Sequence, residues 1–223
     1  MAENTNSNVS IPRLIFIPSV ITLAITILRL VGELQHWPTS LFNPAAGGGG
    51  AIVGITWLVP ILGVYFAIKL SAAGHGPASV GKAIGYSVLA LAVSFAGGFV
   101  GFGMQGEFPG KIAIGILLIA AGGVIPFFAW PALSKVLTAY GYAARIPVVI
   151  LMYFAIRGNW GTHYDVVPPG FPEDTAFWPK YLQIAFVPQM LMWIVFTIIV
   201  GSLFGSVAVA VARRSSKQEQ QTA

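Results

Sequence analysis

Apolar residues run through this chain in long unbroken stretches, not in the short alternation of a half-buried strand or the narrow stripe of a surface helix. An α-helix needs about twenty apolar residues to cross a hydrocarbon layer of ~30 Å. Windows of that length recur near 13–35, 50–71, 82–104, 111–133, 138–157 and 181–212. The pattern predicts an all-α polytopic integral membrane protein, a six-transmembrane-helix bundle over 13–212, flanked by a polar segment 1–12 and a polar tail 213–223. The fourth and fifth windows meet in a tight turn around Lys135. The sixth is longer than a simple crossing requires, which predicts tilt, a kink at Pro188, or a stretch that runs on into the cytoplasm.

Composition supports the same class. Of the 223 residues, 56% are apolar and 9% charged, against roughly 25% charged in soluble domains. A water-soluble fold has too few polar residues here to cover its apolar ones. The absence of cysteine excludes disulfides, thiolate metal centres and iron–sulfur clusters. The first ten residues are polar and lack a basic n-region, so the first apolar run is expected to stay in place as an anchor.

The twelve Lys and Arg are scattered singly, with no basic stripe interleaved with aromatics. Nucleic acid is therefore not an expected partner, and the lipid bilayer is. With the amino terminus inside, Arg13, Lys69, Lys82, Lys135, Arg145, Arg213, Arg214 and Lys217 fall on the cytoplasmic side, and Arg29, Lys111, Arg157 and Lys180 outside. Cytoplasmic loops retain positive charge during insertion. The asymmetry predicts a plasma (inner) membrane protein with both termini cytoplasmic and one substantial external loop, 158–180. That loop is rich in proline and aromatic residues, which predicts an ordered segment and not a flexible linker. Trp37, Trp160 and Trp178 fit an outer aromatic belt, and Trp130 an inner one.

Candidate chemistry lies at few places. Arg29 and Glu33 are four apart, on one helical face. They are either a pair reaching for the surface or part of a polar cavity opening outward. His36, His163 and Asp165 fall on the external side, and His163-x-Asp165 offers two candidate metal ligands; the alternative for both histidines is interfacial hydrogen bonding. No G-x-S-x-G, H-E-x-x-H or P-loop occurs, and no motif names a cofactor. Small residues recur four apart at Gly50/Gly54, Gly81/Gly85, Gly97/Gly101 and Gly201/Gly205, a spacing that lets helices approach closely within a chain or between copies. The run Ala45 to Gly50 cannot favour helix.

Tyr65-Phe66-Ala67-Ile68-Lys69 is echoed by Tyr153-Phe154-Ala155-Ile156-Arg157, and Pro60 and Pro147 precede the two copies. In the six-span arrangement this is the arithmetic of an inverted three-plus-three repeat, with the carbonyls of Thr56 and Ala143 freed by the prolines. The expected function is a non-enzymatic membrane protein that binds or passes a small molecule or ion, with Arg29, Glu33, Pro60, Pro147 and Arg157 as ligand or pore residues. Two alternatives stand beside it: an accessory subunit of a larger membrane complex, and a membrane enzyme acting on lipid at the outer face. Association with a second copy is a further expected partnership.

Overall fold

The computed structural model describes residues 9–222, with side chains through Ser215. Residues 1–8 of the predicted polar segment, and the tail side chains beyond Ser215, lie outside this description.

Among the described residues there are helices and turns but no strand. The principal helices are α1 (Ile11–Leu34), α2 (Leu58–Ala72), α3 (Val80–Gly98), α4 (Lys111–Val124), α5 (Pro131–Gly158), α6 (Phe177–Tyr181) and α7 (Trp193–Thr222). Five continuous stretches are long and apolar enough to cross a membrane: Ile11–Leu34, Val80–Gly103, Lys111–Phe128, Pro131–Gly158 and Phe177–Ser215. The shorter apolar helix Leu58–Ala72 brings the number to about six. The chain is thus an all-α, multi-pass integral membrane protein.

Several boundaries differ from those expected, each for a local reason. The second helix begins at Leu58, not near residue 50. Gly47, Gly48 and Gly50 hold positive φ of 73°, 67° and 77°, a region that side chains disfavour and that an α-helix does not use. The fifth helix begins at Pro131, so Lys135 lies within it and not in a turn. Proline suits a first helical position because its missing N–H has no intrahelical acceptor there. The long final stretch passes through two π-helical segments, Leu182–Phe186 and Pro188–Met192, so the expected irregularity at Pro188 takes the form of widened turns. The final helix runs on to Thr222, the continuation that was one of the alternatives expected for the long sixth span.

The helices fall into two compact units. One holds the chain up to Ile15, Val59–Gly141 and the chain from Ile194 onward. Within it α3 lies against α4 through glycine: a Cβ added at Gly97 would stand 2.7 Å from the Gly115 carbonyl oxygen, and one at Gly205 would stand 2.7 Å from that of Gly63. Phe66, Leu133, Leu137 and Tyr140 form its buried interior. Trp130 is buried here, donating its indole N–H to the His75 carbonyl at 2.8 Å. It is a core residue and not, as expected, part of a belt.

The other unit holds Phe16–Leu58 and Tyr142–Trp193. Its core gathers Val148, Met152, Ala155, Tyr164, Tyr181 and Ala185. The segment after α5 is a series of turns. Asp165 closes it, accepting from the Gly161 and Thr162 amides at 2.9 and 2.8 Å and from the Thr162 hydroxyl at 2.6 Å. All the residues that line the cavity described next belong to this unit.

Candidate functional site

Three segments of the second unit meet at one guanidinium. Arg29 projects from the last third of α1, where its side chain keeps only 10% exposure. Its Nε donates to Glu33 Oε1 at 2.8 Å, one helical turn further on. Its Nη2 donates to two carbonyls of the following turn, Asn43 at 3.1 Å and Gly48 at 2.9 Å. The turn is shaped to present them. Asn43 accepts from the Ala45 amide through Oδ1 and donates to the Gly49 carbonyl through Nδ2, while the left-handed glycines fold the chain back. At Gly48 a Cβ would stand 2.6 Å from the His163 ring and 2.8 Å from Arg29 Nη2, so only glycine fits.

The third segment is the loop after α5. Its His163 donates its amide to Glu33 Oε2 at 2.9 Å, and Nδ1 lies 2.6 Å from Glu33 Oε1. An ionised carboxylate only accepts, so Nδ1 carries the proton and a neutral ring keeps its lone pair on Nε2. Burial pushes the His163 pKa below its ordinary value, an effect the adjacent Arg29 charge reinforces and the Glu33 carboxylate only partly offsets. Tyr164 is held in the phenol form by burial, and its hydroxyl donates to the Thr26 carbonyl of α1 at 3.3 Å. The Glu33 side chain has no exposed surface. The Arg29–Glu33 pair is thus an internal tether and does not reach for the surface.

Arg29 forms part of the wall of a cavity of about 420 Å³, within the 300–1,000 Å³ common for small-molecule sites. A second arginine lines the same cavity. Arg145 stands at the middle of the 28-residue α5, donates from Nη1 to Gln189 Oε1 at 3.0 Å, and lies 4.4 Å over the Trp193 ring. Gln189 comes from the π-helical segment that Pro188 opens; such segments often accompany functional sites. Arg145, one of the charges counted on the cytoplasmic side, is buried within α5. No Asp or Glu is among the described residues that line the cavity. Apolar side chains, including Ile25, Ile55 and Met152, complete it.

The structure brings Arg29, Glu33 and His163 together. The other expected site residues lie apart from the cavity. Pro60 is the third residue of α2, where no earlier helical carbonyl loses a donor, whereas Pro147 lies inside α5; the two do not occupy equivalent helical positions. Arg157 stands over the Tyr153 and Phe177 rings at 5.3 and 5.1 Å. Asp165 turns its carboxylate to its own loop, and His36 lies in the turn after α1 with φ of 53°. Among the described residues no three His, Asp or Glu side chains gather as metal ligands.

Asn43, Gly48, Arg145 and Gln189 were not expected from the sequence as site residues. Arg145 carried a signal, an ionisable residue inside an apolar window; the others depend on long-range contacts. The chain matches no protein-family model, no curated protein and no solved structure.

Proposed function

We propose that this membrane protein binds a small molecule in the cavity of its second unit and passes it across the bilayer. One observation carries the reading: a buried arginine on an apolar helix, tethered by Glu33, forms part of a cavity wall instead of meeting lipid or the protein surface. Holding a guanidinium out of water is costly, and ionisable groups within membrane helices generally mark a ligand or ion path. An accessory subunit that only packs against a larger complex has no call for such a cavity. The enzyme alternative draws on the His163–Glu33 pair, which resembles an oriented general base.

The test is flux in proteoliposomes. Glycerol, glycine, choline, acetate, hexanoate and benzoate would be followed by light scattering or tracer uptake. At least one is expected to enter faster than into protein-free vesicles, and Met152→Trp, which fills the cavity, is expected to remove that excess. Entry at the protein-free rate for all six, or an excess unaffected by Met152→Trp, would overturn the reading.

A further inference from the structure

We infer that the cavity's ligand is a small soluble organic acid, a monoanion with one carboxylate on an apolar body, anchored by Nη1 of Arg29. This rests on the cavity being the binding site and names the class of molecule it takes.

A guanidinium has five N–H donors. In Arg29, Nε serves Glu33 and Nη2 serves the Asn43 and Gly48 carbonyls. The two N–H groups of Nη1 have no acceptor among the described residues. The side chain is nine-tenths buried and belongs to the cavity wall. Gly54 keeps that face clear, since a Cβ there would stand 3.2 Å from Nη1. An N–H edge left without a protein acceptor is open to a ligand, and an anionic acceptor makes the stronger bond.

Charge decides the sign of the ligand. Two arginines line the cavity against the one carboxylate, Glu33, that pairs with Arg29, and no acid is among the described lining residues, so the wall is net positive and favours an anion over a cation or a neutral molecule. It also limits the number of charges. Arg145 already meets Gln189 and the Trp193 ring, which leaves one open guanidinium edge, suited to one carboxylate. Gln189 accepts through Oε1, and its NH₂ remains a donor suited to the same group. Ile25, Ile55 and Met152 supply the apolar surface for the rest of the molecule.

The test is calorimetric titration of the full chain in phosphatidylcholine nanodiscs. Acetate, hexanoate and benzoate would each be compared with the matching amide, and hexanoate also with hexylamine. At least one acid is expected to bind ten-fold or more tightly than its amide, with hexylamine showing no binding. Arg29→Gln should weaken the acid at least ten-fold. Gly54→Val should do the same while keeping the Arg29–Glu33 pair, which covers the case of an Arg29→Gln protein that fails to fold. An amide or amine that binds as well as its acid would overturn the ligand class while leaving the cavity reading intact. Failure of all three acids to bind, or acid binding unchanged in folded Gly54→Val, would overturn the inference. Acid binding is expected to persist in nanodiscs containing phosphatidylglycerol; competitive loss there would assign the site to a lipid headgroup and also overturn it.

Discussion

At the residue scale the decisive group is the Glu33 carboxylate, which accepts from Arg29 Nε, His163 Nδ1 and the His163 amide. Removing it strands a buried cation and a backbone donor together. Glu33→Ala is therefore expected to lower stability by about 3 kcal/mol or more. A double-mutant cycle with Arg29→Ala should return a coupling on the order of 1 kcal/mol or more, read from unfolding in detergent; strictly additive losses would show that the two residues act independently. His163 gives a pH signature. Its folded pKa lies below the ordinary 6.5, chiefly through burial, so between the two values the unfolded chain binds more protons than the folded one. Its contribution is fully present above about pH 6.5 and is lost as pH falls through the folded value. Thermal stability should decline over that interval, and His163→Gln should flatten the decline; an unchanged profile would remove His163 as its source. The i, i+4 spacing made the Arg29–Glu33 pair legible in the sequence. The partnership of Glu33 with His163, 130 residues away, has no local signal.

At the element scale, glycine sets how closely helices approach, and it does so selectively. Gly97 and Gly101 of the third apolar stretch and Gly115 of α4 leave no room for side chains, whereas Gly81 and Gly85 have nothing within 4 Å of an added Cβ. Gly115→Val should therefore cost about 1–3 kcal/mol through overpacking, measurable as a lowered melting temperature in detergent. Gly81→Val should be close to neutral, and equal losses at the two positions would contradict this packing. The four-residue spacing was visible in every pair, but spacing alone does not say which pairs meet a neighbour. Helix starts show the same division. The run of glycines before residue 51 announces a break, and the non-helical segment extends past their left-handed turn to Trp57.

At the scale of the whole molecule, the number and apolar character of the helices were legible because hydrocarbon length is read directly from sequence. The grouping of α1 with the second half of α5 and its following loop in one compact unit was not, because it depends on contacts between distant segments. Removing Arg145 from the inside set and Arg29 from the outside set, since both are buried, leaves the excess inside. Because the chain has no cysteine, single cysteines at the exposed positions Glu173 and Ser215 provide a clean test. An impermeant thiol reagent added to intact cells should label Glu173→Cys and spare Ser215→Cys; equal labelling would defeat the topology. The late start of α2 has a further consequence. Fifteen residues give a rod of only about 22 Å, shorter than the ~30 Å apolar layer. The preceding turn is non-helical, and Arg29 and Asn43 satisfy three of its carbonyls from within the protein. Hydrophobic mismatch should therefore make this protein sensitive to bilayer thickness, more stable in short-chain dimyristoleoyl than in long-chain dierucoyl phosphatidylcholine, so that the lipid around it tunes how firmly the Arg29 turn is held.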